Sequence, residues 1–227
     1  MPGESEADRA PRLFTALWPS QAAVEHLAGA VSGLAAARVA AASEGLRRFR
    51  FVPASKWHLT LRFHGSAEPG PLSERLDRRV AGLTGRPHLR LTGAGAFRSV
   101  LWVGAEPASG RDAELLRELV RAAGGDPEEF RAHLTVARWN AGRPSGGRLT
   151  GLLRAYSGPW WEVGEVALVR SDQEAEGSAY RTVHRVRLGG PDAEGRDSAS
   201  SDAASSDAAP LDAGTTHAPR SDAGDQG

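Results

Sequence analysis

The tripeptide His-Leu-Thr occurs twice in this chain of 227 residues, at 58–60 and again at 133–135. The chain has only seven histidines, so chance predicts well under one His-x-Thr. Both copies follow an aromatic or apolar residue and continue through alternating residues to an arginine, as WHLTLRF at 57–63 and AHLTVAR at 132–138. Two matched motifs of this kind predict a pair of strands and a site with approximate two-fold symmetry.

The alternation of side chains along a strand predicts which motif residues lie on the same face. Residues i and i+2 share a face of a strand, so His58 points the same way as Thr60, and His133 the same way as Thr135. The intervening leucines face the other way and can form core. Each strand is therefore predicted to present an imidazole and a hydroxyl on one side and apolar anchors on the other.

This pairing of groups suits displacement at phosphorus. Histidine titrates near neutrality and can donate or accept a proton, and a threonine hydroxyl can hold a phosphate oxygen. The attacking and leaving oxygens lie roughly in line, so the reaction needs a base on one side and an acid on the other. A single His-x-Thr is more often a hydrogen-bonded structural pair, and the matched second copy is what favours catalysis.

Neither a metal nor another cofactor is predicted. No third histidine or carboxylate lies at metal-ligand spacing near either motif. The chain contains no cysteine, which excludes disulfides, thiolate catalysis and cysteine-ligated metals.

Hydrophobic periodicity predicts the order of the elements. Strands are predicted at 12–18, 57–64, 89–92, 99–104, 131–139, 161–170 and 180–188, helices at 21–42, 71–83, 111–123 and 149–156, glycine-rich turns at 93–95 and 142–147, and a polar loop at 171–178. The alternating pattern and the paired late strands favour antiparallel sheet, and therefore an α+β fold. Each motif strand follows a helix, which suggests an internal duplication with two lobes.

Composition divides the chain into three parts. Residues 12–188 are long enough for a single packed domain. Residues 1–11 and the Ser/Asp/Ala-rich tail at 189–227 lack the apolar surface to offset their ordering entropy, and are predicted to be disordered. The tail has a net charge of −6 and the rest of the chain +6, which fits a phosphate-bearing ligand but also an ordinary solvated surface.

The sequence also allows a prediction of where in the cell the protein acts. No basic start followed by an apolar stretch is present, and no apolar run reaches membrane-spanning length. We therefore expect a cytoplasmic protein without membrane contact. We also expect it to act as a monomer.

Further segments extend the pattern beyond the two motifs. They are RLFTALWP at 12–19, FVP at 51–53, Gly65 and LWVG at 101–104. With them, residues 12–188 resemble the 2H phosphoesterase superfamily, which is named for two His-x-Thr/Ser motifs. Within it they resemble the bacterial RNA 2′,3′-cyclic phosphodiesterases, first described as 2′-5′ RNA ligases.

The resemblance implies a fold, a reaction and roles. The fold is a bilobal α+β 2H phosphoesterase-like structure, with two antiparallel sheets facing a central groove and helices outside. The reaction is metal-independent hydrolysis of RNA, or of a nucleotide, with a 2′,3′-cyclic phosphate to the 2′-phosphomonoester. The implied roles are His58 as proton donor, His133 as proton acceptor, and Thr60, Thr135, Arg138 and Phe63 as substrate-binding residues.

Two features do not follow the resemblance. Strict alternation places Phe63 and Arg138, each five residues after its histidine, on the face opposite that histidine. Alternation thus favours Arg62 for the phosphate, whereas the resemblance favours Arg138. His64 stands where these relatives usually have an apolar residue, which suggests a surface substitution at a strand end.

Two alternatives remain open at this level. The chain could be a non-catalytic module that binds RNA ends, or a related 2H enzyme acting on another cyclic phosphate or on a 2′-5′ linkage. The tryptophans at 57, 102, 139, 160 and 161 are predicted to pack in the core and rim rather than to stack on bases.

Overall fold

The computed structural model describes residues 11–144, 147–174 and 177–189. The segments predicted to be disordered fall almost entirely outside these residues. The described strands are β1 Arg12–Leu17, β2 Arg50–Phe51, β3 Leu59–Ser66, β4 His88–Phe97, β5 Val100–Pro107, β6 His133–Arg138, β7 Ser157–Glu162, β8 Glu165–Glu174 and β9 Gly177–Arg187. The described α-helices are α1 Gln21–Ser32, α2 Ala36–Ala42, α3 Pro69–Val80 and α4 Gly110–Ala122.

The strands form one curled antiparallel sheet in which the two motif strands are central. Its order is β7-β4-β5-β6-β3-β1-β8-β9, with β2 beside β6. Two four-stranded halves meet where β3 pairs with β6 through Leu59 and Leu134. The predicted α+β fold of the 2H type is confirmed, and its two predicted sheets are the two halves of this continuous sheet.

Three helices cover the two halves. The helix α1 packs against β4 and β7, α3 against β8 and β9, and α4 against β3 and β5. The N-termini of α1 and α4 are capped by Ser20 and Ser109, whose side chains accept from the backbone N–H groups of Ala23 and Asp112. None of the helices in the described part of the chain combines the length and apolar character that crossing a membrane requires.

The two faces of the central strands bury different side chains. On the helix side the core includes Leu17, Leu59 and Leu134, all of them inaccessible to solvent. On the other side of β1 and β8 lies a small apolar cluster of Phe14, Ala16, Ala167 and Val169, against which Trp18 and Tyr180 pack. The motif side chains therefore emerge next to an apolar wall.

Two helix predictions were wrong. The predicted helix at 21–42 is divided into α1 and α2, because α1 ends at Ser32, with Gly33 as its C-cap residue, and α2 begins at Ala36. Alanine-rich periodicity continues past this break, so the pattern does not reveal it. The predicted helix at 149–156 is a single turn of 3-10 helix, Thr150–Leu152.

Predictions for the strands need correction at two places. The glycine-rich stretch 93–95 is not a turn but lies within β4. Glycine is needed at position 95 because a Cβ there would come 2.1 Å from the Trp102 ring. Glycine at position 95 makes room for an indole, and Gly93 has a φ of 60° where the pairing of β4 with β5 shifts register. The predicted polar loop at 171–178 falls mostly within the hairpin of β8 and β9, and a separate strand, β7, precedes them.

Candidate active site

The four motif side chains lie together on one face of the sheet. The antiparallel pair Leu59 and Leu134 places His58 opposite Thr135, and Thr60 opposite His133. Side chains of opposite residues point to the same face, and diagonal neighbours are about 7–8 Å apart. The two histidines are diagonal neighbours in this arrangement. Because both leucines are buried on the helix side, the quartet lies on the other, concave side of the curled sheet, which we call the groove. The spacing suits one phosphate between two imidazoles.

The two imidazoles are held by matched hydrogen bonds. His58 Nδ1 lies 2.8 Å from the carbonyl oxygen of Lys56, and His133 Nδ1 lies 2.7 Å from that of Arg131. A carbonyl can only accept, so each Nδ1 carries the proton and donates it. The second ring nitrogen, Nε2, is then the atom available for proton transfer in both residues.

A β-bulge in β3 decides where Phe63 points. Ala16 pairs with Thr60 but Thr15 pairs with Arg62, so Leu61 is an extra residue in β3. The extra residue shifts the alternation by one position. Phe63 then pairs with Phe14 of the groove-side cluster, and the two ring centroids are 5.9 Å apart.

The strand β6 has a bulge at the equivalent position. Trp102 pairs with Thr135 but Leu101 pairs with Ala137, so Val136 is the extra residue. Arg138 is thereby brought back to the histidine face, and its charge contributes to lowering the pKa of His58. The conflict between alternation and resemblance disappears, because neither strand alternates strictly.

Arg62 and His64 lie on the opposite, helix-side face. His64 Nε2 is 2.8 Å from the hydroxyl oxygen of Thr15, which is itself buried. Burial lowers the pKa of His64, and the charges of Arg62 and of Arg75 on α3 lower it further. His64 is therefore a hydrogen-bonded structural residue, and Arg62 does not face the groove.

Aromatic rings enclose His58. The ring of Phe14 is stacked on the imidazole at a centroid distance of 4.8 Å, and the edges of Trp18 and Tyr180 approach at 5.6 Å and 5.2 Å. This burial lowers the pKa of His58 from 6.5 to about 4, against the opposing effect of the hydrogen bond to Lys56. His58 is therefore neutral at pH 7, and it stays neutral well below pH 6.5, where an exposed imidazole would take up a proton.

A smaller aromatic group flanks His133. The ring centroids of Phe97 and Trp102 lie 5.1 Å and 6.1 Å from that of His133. Phe97 is 38% exposed and Phe63 69% exposed, so each half of the groove presents one accessible phenyl ring.

These flanking aromatic residues were not predicted as part of the site. Phe14, Trp18 and Tyr180 come from strands or loops far from the motif in sequence, and their side chains reach His58 only in the assembled sheet. Trp102 was predicted to be packing, which fits its half-buried position, but it packs against a motif histidine. Trp57, Trp139 and Trp161 are buried as predicted.

Two surface hollows of the described structure lie away from the motifs. A cavity of about 390 Å³ is lined by Arg47, Arg48, Asn140 and Ala141. Neither this cavity nor a second one beside α2 is lined by a motif residue. Within the described residues, no group of three or more His, Asp or Glu side chains is placed to hold a metal ion.

The sequence matches the model of one known protein family. The model of the 2′-5′ RNA ligase superfamily matches residues 24–175, which include both His-x-Thr motifs. The chain belongs to the 2′-5′ RNA ligase superfamily. The resemblance predicted from the motifs is therefore confirmed for the superfamily. No curated protein matches the sequence significantly.

Three solved structures illustrate the fold that this chain shares. TT0787 of Thermus thermophilus is 27% identical, with a TM-score of 0.56, over 79% of this chain and 99% of that one. E. coli LigT in its apo form is 21% identical, with a TM-score of 0.57, over 80% of this chain and 99% of that one. E. coli LigT complexed with ATP is 22% identical, with a TM-score of 0.54, over 79% and 98% of the two chains.

Proposed function

We propose that this member of the 2′-5′ RNA ligase superfamily hydrolyses RNA 2′,3′-cyclic phosphodiester ends to 2′-phosphomonoesters without a metal ion. The observation that carries the proposal is the pair of motif imidazoles. Matched Nδ1 hydrogen bonds hold both rings on one sheet face and leave both Nε2 atoms for proton transfer. Opposed imidazoles of this kind supply the acid and the base that in-line displacement requires.

In the proposed reaction each histidine moves one proton. Nε2 of His133 accepts a proton from water as the water oxygen bonds to phosphorus. The bond from phosphorus to the ribose 3′ oxygen breaks, and Nε2 of His58 donates a proton to that oxygen. The product is a 2′-phosphomonoester with a free 3′-hydroxyl.

The donor role of His58 requires that substrate binding change its protonation. Burial holds the pKa of His58 at about 4 in the free protein, which favours the neutral ring. A phosphate anion placed between the histidines favours the protonated ring, because an adjacent opposite charge raises the pKa of an imidazole. The proposed substrate therefore supplies the charge that makes His58 an acid.

The remaining roles follow from position on the groove face. Thr60 and Thr135 would hold the equatorial phosphate oxygens, and Arg138 would compensate their charge. Phe63, with its accessible ring, would pack on the nucleoside of the reacting end. We further propose that the protein acts on RNA or nucleotide ends in the cytoplasm, as a monomer.

Two single substitutions test it. His58→Ala and His133→Ala should each lower kcat on a 2′,3′-cyclic nucleotide by about 10²–10⁴-fold, the usual contribution of one proton transfer. His64→Gln is the matched control, because its imidazole lies on the opposite face, and its kcat should stay close to wild type. Unchanged turnover in both alanine variants would rule out two-histidine catalysis.

Three further measurements define the reaction. EDTA should leave the rate unchanged, and the pH–rate profile should be bell-shaped. Phosphorus NMR of the products from a panel of cyclic phosphates and 2′-5′-linked dinucleotides identifies the preferred substrate and the oxygen that leaves. Tight binding of RNA ends without any product would instead favour the non-catalytic module.

A further inference from the structure

Two arginines face each other at the end of the groove. The pairing of β2 with β6 places Arg50 directly opposite Arg138. Opposite residues share a face, so Arg50 lies on the histidine side, as Arg138 does. Like charges directly opposite each other destabilise a sheet, and within the described structure neither arginine is within 4.0 Å of a carboxylate. Such a pair is stabilised when an anion lies between the guanidinium groups.

Two more arginines approach the same end in strained conformations. Arg48 has φ 55° and Arg98 has φ 52°, and no other non-glycine residue in the described chain has a positive φ. Glycine adopts this conformation freely, whereas other residues adopt it at a cost. Both positions are turn positions, and arginine rather than glycine at each leaves two guanidinium groups at this end of the sheet.

Backbone contacts bring these separate segments together. The N–H of Arg47 donates to the carbonyl of Ala141 at 2.8 Å, and the N–H of Asn140 donates to that of Arg47 at 2.9 Å. The N–H of Trp139 donates to the carbonyl of Ser99, next to Arg98, at 3.1 Å. The exposed side chains of Arg47, Arg48, Arg50 and Arg98 form what we name the arginine patch.

The arginine patch is strongly basic and partly concave. Segments 43–52, 97–101 and 136–144 contain six arginines and one acidic residue, Glu44, which forms no ion pair with them in the described structure. The cavity of about 390 Å³ opens between Arg47, Arg48 and Asn140. Arginine guanidinium groups and an amide around a hollow are the donors that bind phosphate oxygens.

We propose that the arginine patch binds the phosphodiester backbone of the single-stranded RNA that precedes the reacting end. This inference rests on the proposed function, which places the terminal phosphate between the histidines. Arg138 is three residues beyond Thr135 on β6, roughly 10 Å along the strand. The arginine patch lies beyond Arg138, where the rest of the RNA strand would leave the groove. Contacts of this kind bind the strand without reading its sequence.

Binding of a product-like RNA tests the inference without catalysis. The probe is a short fluorescent single-stranded RNA with a 2′-phosphate end, titrated with the full chain. The double variant Arg48→Gln/Arg50→Gln should raise Kd by about tenfold or more. The slope of log affinity against log salt should become shallower by about 0.7 for each phosphate that the variant no longer neutralises. Arg78→Gln on α3 is the matched control, since that exposed arginine only approaches Glu74, at 3.8 Å.

The folding of the variants can be followed in the same samples. Because Arg50→Gln removes one of two facing like charges, it should leave Tm unchanged or raise it. Activity gives a second readout. The ratio of kcat/KM on a cyclic-phosphate oligonucleotide to that on a cyclic mononucleotide should fall in the double variant and hold in Arg78→Gln.

The outcomes separate this inference from the proposed function. If wild type hydrolyses the cyclic mononucleotide but the double variant binds RNA as wild type does, the arginine patch is no RNA site and the proposed function stands. If wild type hydrolyses no cyclic phosphate but the double variant binds RNA more weakly than wild type, the proposed function fails and the RNA site stands. Binding to phosphatidylserine vesicles that depends on the arginine patch and that RNA does not displace would also overturn the inference.

Discussion

His58 and His133 share a motif and a backbone hydrogen bond, yet their side chains have different surroundings. His58 is covered by Phe14, Trp18 and Tyr180, whereas Phe97 and Trp102 flank His133. Burial of an imidazole disfavours its charged form. The structure thus distinguishes two residues that are alike in sequence.

Titration of His58 by NMR provides a test at the level of this residue. In the free protein the pKa of His58 should be about 4. Phe14→Leu should raise it toward the ordinary value, because the stacked ring that excludes water is removed. Binding of a 2′-phosphonucleotide should also raise it, because the phosphate charge favours the imidazolium.

Phe97→Leu is the control for this titration, since Phe97 flanks the other histidine. A pKa of His58 near 6.5 in the free wild-type protein would contradict the effect of burial. A pKa that stays low with the phosphate bound would instead assign His58 as proton acceptor and His133 as donor.

Among the elements, the two motif strands share one irregularity. Leu61 in β3 and Val136 in β6 are both extra residues, each three positions after its histidine. The bulges return Phe63 and Arg138 to the histidine face, so a substrate would meet them there. A period-two pattern contains no sign of a bulge, because a bulge is defined by the partner strand.

The strand β4 offers a prediction about packing. Gly95→Ala should destabilise the protein by about 1–3 kcal/mol, since the added Cβ would overlap the Trp102 ring. It should also lower kcat/KM, because Trp102 packs against His133. Urea denaturation and kinetics measure the two effects.

Gly29→Ala on α1 is the matched control for Gly95→Ala. A Cβ at Gly29 meets no atom within 4 Å, and alanine favours a helix by up to about 1 kcal/mol. Equal stability of the two variants would show that the Trp102 ring can be packed without glycine at position 95.

For the whole molecule, burial of a neutral histidine makes stability depend on pH. The folded pKa of His58, about 4, lies below its ordinary value of 6.5. As the pH falls below 6.5, the unfolded chain binds the proton first, so the free energy of unfolding decreases until about pH 4. Above pH 6.5 both states are neutral and this contribution is constant. The loss amounts to at most about 3 kcal/mol.

Chemical denaturation at a series of pH values checks this linkage. His58→Gln should flatten the dependence between pH 4 and 6.5. His64→Gln should also make the free energy of unfolding less dependent on pH, because the pKa of His64 is lowered as well. An unchanged pH dependence in His58→Gln would assign the loss of stability to groups other than His58.

The sequence by itself determined the two His/Thr pairs and the type of fold. His58 with Thr60, and His133 with Thr135, share a face through local strand geometry, which needs no knowledge of neighbours. The helices α3 and α4 were predicted to within a few residues for a similar reason, since an amphipathic period is local. The match to the superfamily confirms what the paired motifs indicated.

Only the tertiary structure decided what surrounds these pairs. The bulges depend on the registers of β3 with β1 and of β6 with β5, and the depressed pKa of His58 depends on rings contributed by β1 and β9. The arginine patch joins arginines from two segments that are distant in sequence, which backbone hydrogen bonds to residues 139–141 bring together. Register, burial and convergence of charge are properties of contacts between remote residues, so no local pattern contains them.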